Sequence, residues 1–197
     1  MSVKINSGWC RGMALKSPKG SHTRPTSSRV REAVWNSLSS RLEVSRIADI
    51  FSGSGAVGLE GVSRGAQMCY FVESSAAACK CLDANILEAK RRASKQDIDV
   101  ELRLFQGDAS VWLDSIGSRL RFDLVWIDPP YAIVETFLRE HLAKLLNLVD
   151  QGGILVVESS SESAKAVENI IQDHHVKTQI KQKRYGASTV TQVSIGG

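Results

Sequence analysis

The feature that most restricts this chain is an alternation of short apolar runs with stretches of helical spacing, most of the runs ending at Gly, Ser or an acid. Ile47 to Phe51, Met68 to Val72, Val100 to Phe105, Phe122 to Ile127 and Ile154 to Val157 read as strands. Ala56 to Arg64, Ala76 to Arg92, a short segment around Val111-Trp112-Leu113, and Val134 to Leu148 read as the helices between them. A helix near Ser163 to Gln172 and two strands, Val176 to Lys183 and Thr189 to Ile195, follow. Apolar strands joined by helices predict an α/β fold, a mostly parallel sheet covered by helices on both faces. In such sheets ligands bind outside the carboxyl ends of the strands, so the residues just after each strand carry the functional information.

Upstream, residues 3 to 17 alternate polar and apolar side chains around Gly8 and Gly12, which predicts a small β-hairpin. Pro18-Lys19-Gly20-Ser21 reads as a turn. Thr26-Ser27-Ser28 can cap a helix running through Leu38, with Val30, Val34 and Leu38 on one face and Trp35 beside them. The expected organisation is an N-terminal extension, 1–25, and a main domain, 26–197; 197 residues suit a single core. The net charge is +4, but residues 1 to 46 hold only two acids, Glu32 and Glu43. A polyanion would meet that end first, and a merely solvated basic surface is an equal reading of the charge alone.

No apolar run approaches bilayer length, and residues 1 to 8 contain no apolar leader core. The four cysteines, Cys10, Cys69, Cys79 and Cys81, form no C-x-x-C pair. Free thiols in a reducing cytoplasm and no metal site are therefore expected, with a monomer as the default.

Two strand ends stand out. Asp49-Ile50-Phe51-Ser52-Gly53-Ser54-Gly55 leads from a strand into a helix, with Gly58 at dinucleotide-fingerprint spacing. Gly53 and Gly55 let backbone approach a ligand, and the helix offers its free N–H groups. Spacing alone does not separate a nicotinamide dinucleotide from S-adenosylmethionine. Asp49 favours the latter, because a carboxylate there accepts from an ammonium or a loop amide and repels a pyrophosphate. Glu73, ending the second strand, can accept both ribose hydroxyls of either cofactor. Asp108, followed by Ala109, can accept from an adenine amino group or cap the next helix.

The fourth strand ends in Asp128-Pro129-Pro130-Tyr131. The prolines stiffen the turn, so the Asp128 carboxylate and the Pro129 carbonyl can both face one exocyclic amine while Tyr131 stacks on its base. A rigid turn with an Asp cap is the plainer reading of this segment taken alone. His22, His141, His174 and His175 stand beside no second catalytic residue type, and Tyr185 and Glu158 receive no role.

These motifs, with Thr23-Arg24-Pro25-Thr26, Arg29-Val30-Arg31-Glu32-Ala33, Ser63-Arg64-Gly65-Ala66 and Arg184-Tyr185-Gly186, give the chain its resemblance to a known family. It resembles the class I amino-methyltransferases carrying (Asp/Asn)-Pro-Pro-(Tyr/Phe). Within these it is most similar to the bacterial 16S ribosomal RNA guanine-N2 methyltransferases of the small subunit. The resemblance implies a Rossmann-like seven-stranded sheet with an antiparallel last strand. It implies S-adenosylmethionine near Asp49, Gly53, Gly55, Glu73, Asp108 and Ala109, with the guanine at Asp128, Pro129 and Tyr131. It further implies that Arg11, Arg24, Arg29 and Arg31 face RNA or shape the pocket mouth, the partner being 16S RNA or an assembling 30S subunit. The extension departs from the family pattern, with Trp9-Cys10 and Met13-Ala14 where basic residues are common. An adenine amino-methyltransferase and a nicotinamide-dependent oxidoreductase are the alternatives; the second leaves Asp49 and Asp128 to Tyr131 without a role.

Overall fold

The computed structural model describes residues 3–18, 28–39, 45–116, 120–174 and 178–196, with backbone alone at 28, 29 and 39. The elements in chain order are α1 (Ser28–Ser39), β1 (Arg46–Ile50), α2 (Ala56–Ser63), β2 (Met68–Glu73), α3 (Ala76–Ser94), β3 (Glu101–Gln106), α4 (Ala109–Ile116), β4 (Phe122–Ile127), α5 (Val134–Leu148), β5 (Val149–Ser160), α6 (Ala164–Gln172), β6 (Thr178–Tyr185) and β7 (Ser188–Ile195). The seven strands form one sheet in the order β3-β2-β1-β4-β5-β7-β6. Strands β1 to β5 pair in parallel, and β7 runs antiparallel to both its neighbours. The expected α/β architecture is thus the observed one.

The strands are apolar on both faces because each face has its own helical cover. In β4, Leu124 and Trp126 enter the cluster formed with α1, α2 and α3. Val125 and Ile127 enter the opposite cluster, under α4, α5 and α6. Helix α3 buries Ala78, Cys79, Leu82, Ile86, Ala89 and Ala93, a stripe at spacings of one, three and four. Its first turn is capped by Ser75 Oγ, and Arg91 and Arg92 sit favourably at its negative end.

Strand β5 is longer than its apolar stretch suggests. Its polar end, Glu158 to Ser160, is held by antiparallel pairing to Val190, Thr189 and Ser188. Backbone partners, rather than side-chain polarity, set that boundary. The predicted start of β6 at Val176 lies outside the described residues.

The N-terminal segment is a minimal hairpin with one bridging pair, Lys4 and Ala14. It is fastened to α2. Trp9 N–H donates to Ser63 O at 2.9 Å, Cys10 N–H to Ser63 Oγ at 2.8 Å, and Ser63 Oγ to Ser7 O at 2.6 Å. Gly8 is required at this contact: its φ is +76°, and a Cβ there would lie 1.6 Å from the Ser63 carbonyl oxygen. Ile5, Cys10, Met13 and Leu15 share the core with Ile47 and Leu59, so residues 3–18 are packed into the main body. Cys10, Cys69 and Cys79 are buried free thiols, whereas Cys81 is half-buried. Among the described residues, no helix is long and apolar enough to cross a membrane, and no cluster of His, Cys, Asp or Glu is placed to hold a metal.

Candidate active site

The strand order reverses between β1 and β4, and there the two loops singled out in the sequence meet. Ile50 pairs with Ile127 in parallel register, and the Asp128 N–H donates to Ile50 O at 3.3 Å. The glycine loop and the acid-proline turn therefore leave adjacent strands on the same edge of the sheet, the crevice where doubly wound sheets bind ligands.

The glycine loop is tied down from below. Asp49 is 2% exposed, and its Oδ2 accepts the Gly58 N–H at 2.9 Å. Burial pushes its carboxyl up from 3.8 to about 7, against the Gly58 bond, with the nearby Glu73 adding to the rise. Phe51 is held at φ +65°, a backbone region costly for a non-glycine residue, and its ring packs edge-on to Phe137 at 5.0 Å. Ser52 laces the loop to β2: its N–H donates to Val72 O at 3.0 Å and its Oγ accepts the Val72 N–H at 2.9 Å. Gly55 adopts φ +75°, where a Cβ would lie 2.4 Å from Leu82 Cδ1.

Glu73 Oε2 accepts the Gly53 N–H and Oε1 the Ser75 N–H, both at 2.8 Å. Each oxygen keeps a lone pair for a further donor. Asp108 Oδ1 accepts the Ser110 N–H at 2.7 Å, so the capping role considered from the sequence is realised here; the side chain is also exposed. Ala109 begins α4 and is buried beneath it.

In the second loop Pro129 is buried, while Pro130 and Tyr131 are exposed. The turn is closed by the Pro130 carbonyl, which accepts the Ile133 N–H at 2.9 Å. Tyr131, 41% exposed, shares a hydrogen bond with Ser188 Oγ at 2.8 Å.

The acceptors at these strand ends suit a methyl donor better than a dinucleotide. Asp49, Glu73 and Asp108 at the ends of β1, β2 and β3 are all acceptors. They match an ammonium, two ribose hydroxyls and an adenine amine, the donors that S-adenosylmethionine carries. A pyrophosphate would bring its charge against the Glu73 carboxylate.

The expected RNA-facing arginines divide. Arg11 is exposed at the tip of the N-terminal hairpin. Arg24 lies outside the described residues, as does the side chain of Arg29. Arg31 must be corrected: it is 0% exposed, donates from Nη2 to Lys4 O at 2.7 Å, and stands 3.6 Å from the buried Glu60 carboxylate. It pins the hairpin to α2 from inside, and RNA has no access to it. An arginine in an otherwise basic segment gives no sign of this, because its partner lies on another element.

Two polar residues given no role in the sequence brace the elements around the site. Asn85, 2% exposed on α3, donates from Nδ2 to Ser54 O at 2.9 Å and to Lys16 O at 3.0 Å, and accepts the Lys16 N–H at 2.8 Å. It joins the glycine loop to the N-terminal segment. His141 on α5 meets Ser110 Oγ at 2.9 Å and packs on Phe137. A polar residue on a buried helical stripe is the available signal in both cases.

The family model described as Conserved hypothetical protein 95 matches residues 3–194. The chain is 30% identical to Ribosomal RNA small subunit methyltransferase D of Escherichia coli (strain K12), over 85% of this chain and 76% of that protein. It is also 30% identical to YlbH of Bacillus subtilis (strain 168), over 81% of this chain and 84% of that one. Among solved structures it resembles the hypothetical protein TTHA0928 of Thermus thermophilus, with a TM-score of 0.75 and 29% identity over 98% of this chain and 99% of the other. With the sheet order and both loops in place, the chain belongs to the Conserved hypothetical protein 95 family and has the class I methyltransferase fold.

Proposed function

We propose that this chain transfers a methyl group from S-adenosylmethionine to ribosomal RNA, and that the acceptor is the exocyclic N2 amine of a guanine in 16S RNA. One observation carries the reading: the acceptor-lined glycine loop and the Asp128 to Tyr131 turn leave adjacent strands, joined by the Asp128 N–H to Ile50 O bond at 3.3 Å. The names of the curated relatives support the RNA class, and the rigid turn supports the amine.

The sulfonium supplies an activated methyl carbon. The protein has to bring a weakly nucleophilic amine to it, in line and shielded from water. The Asp128 carboxylate and the Pro129 carbonyl accept the two amine hydrogens, aiming the nitrogen at the methyl group. Tyr131 stacks on the base, and its bond to Ser188 limits where the ring can swing. As the N–C bond forms and the S–C bond breaks, positive charge grows on nitrogen, and the Asp128 carboxylate stabilises it until the proton leaves to solvent. The guanine must leave its stack to reach this corner. Arg11 is exposed, but the hairpin tip that carries it is bonded to Ser63, at the end of α2 away from the glycine loop, so it does not flank this corner.

Asp128→Ala tests the reading in a methyl-transfer assay on 16S RNA. Turnover falls by roughly 100-fold or more while S-adenosylhomocysteine binding is kept. Near-normal turnover would remove Asp128 from the chemistry. Mass mapping of the methylated nucleosides identifies the base: N2-methylguanine supports the proposal, and N6-methyladenine replaces it with the adenine reading.

A further inference from the structure

The last acid in the chain is Asp173; beyond it stand Lys177, Lys181, Lys183 and Arg184, with no Asp or Glu. Lys181, Lys183 and Arg184 lie exposed on β6, the edge strand of the sheet. The β6–β7 register sets Lys181 opposite Gln192, Lys183 opposite Val190 and Tyr185 opposite Ser188. Alternation along the strands puts these six side chains on one face. Across from them, Ser37 of α1 completes a groove of about 280 Å³. Lys183 Nζ lies 5.4 Å from the centre of the Tyr185 ring. The row ends at Ser188, which holds the Tyr131 hydroxyl at 2.8 Å. Two cations, Lys181 and Lys183, and one aromatic ring thus lead from the sheet edge toward the acid-proline corner, while alternation puts Arg184 on the other face.

We propose that this face of the β6–β7 hairpin is a second RNA-binding surface, gripping the phosphate backbone of single-stranded RNA next to the target nucleotide. The inference rests on the RNA substrate proposed above. Three features favour a nucleic-acid strand. Lys181 and Lys183 stand two residues apart along an extended strand, about 7 Å, near the spacing of successive phosphates. Tyr185, half-buried with Lys183 Nζ over its ring, fixes that lysine at the end of the track nearest the site. The track is also continuous with the place where the base must enter.

The test uses Lys181→Gln/Lys183→Gln and, as a control with the same charge change, Lys90→Gln/Lys95→Gln on and just after α3. Binding of a fluorescein-labelled 16S RNA fragment is followed by anisotropy as salt rises from about 50 to about 200 mM. Each phosphate deprived of its cation lowers the slope of log K against log salt by about 0.7, so the β6 variant should lose about 1.4 from the slope and roughly 20-fold in affinity near 0.1 M salt. In turnover its KM for RNA rises while kcat and S-adenosylhomocysteine affinity stay; the α3 control behaves as wild type. An unchanged slope and KM in the β6 variant, or equal losses in both variants, overturns the surface while leaving the proposed function standing. Failure of the wild-type chain to bind RNA overturns both.

Discussion

Replacing Asp49 by Asn tests the electrostatics on which the cofactor loop rests. Asp49 is the penultimate residue of β1 at 2% exposure, and burial lifts its carboxyl from 3.8 to about 7. A carboxyl whose pKa is raised by folding keeps its proton longer in the folded chain than in the unfolded one. Its contribution to stability is whole below about pH 3.8 and is lost as the pH climbs through about 7, beyond which a buried carboxylate remains at constant cost. The interval from 3.8 to about 7, at 1.36 kcal/mol per unit, sets about 4 kcal/mol as the largest loss. Asn retains an oxygen for the Gly58 N–H and has no proton to lose. Urea unfolding of both proteins across that range should show the wild-type stability, minus that of Asp49→Asn, falling by roughly 2–4 kcal/mol from acid to neutral pH, other titrating groups cancelling in the difference. A ligand ammonium near Asp49 favours the carboxylate. Calorimetry should therefore show wild-type affinity for S-adenosylhomocysteine weakening as the pH drops below about 7, by at most tenfold per unit, and a flat profile in Asp49→Asn. A stability difference independent of pH would refute the argument that Asp49 is a buried carboxyl held in its protonated form. A flat affinity profile in the wild type would refute the ammonium contact alone.

Glu60→Ala should cost about 3–5 kcal/mol in denaturant unfolding, because it strands the fully buried Arg31; a loss under about 1 kcal/mol would show that the pair does not carry the hairpin attachment. Asn85→Leu leaves the Ser54 carbonyl and both backbone groups of Lys16 unsatisfied. Stability should fall by about 2–4 kcal/mol, with hydrogen exchange quickening together at the glycine loop and the N-terminal segment. Faster exchange at only one of the two would break the link assigned to Asn85.

Much of the site was legible in the residues because its motifs are local. Glycines, prolines and acids sit within a few positions of a strand end, and each constrains the chain through its own backbone chemistry. Asp49, Glu73, Asp108 and Asp128 can be singled out as candidates this way, and all four stand at or beside strand ends. Arg31 was misread and Asn85 passed over for one reason: what each does depends on an atom far along the chain. Arg31 answers to Glu60, and Asn85 to Ser54 and Lys16.

The alternation of apolar strands and amphipathic helices determined by itself that this chain forms a layered α/β sheet, because that periodicity directly records which residues leave water. It did not determine which strands become neighbours. Only the tertiary structure set β1 beside β4, across more than seventy intervening residues, and so brought the glycine loop to the acid-proline turn. Strand pairing is chosen by the packing of all helices and strands together, and no local pattern encodes it. The burial that raises the Asp49 carboxyl to about 7 has the same origin, since desolvation is a property of the surroundings and not of the residue.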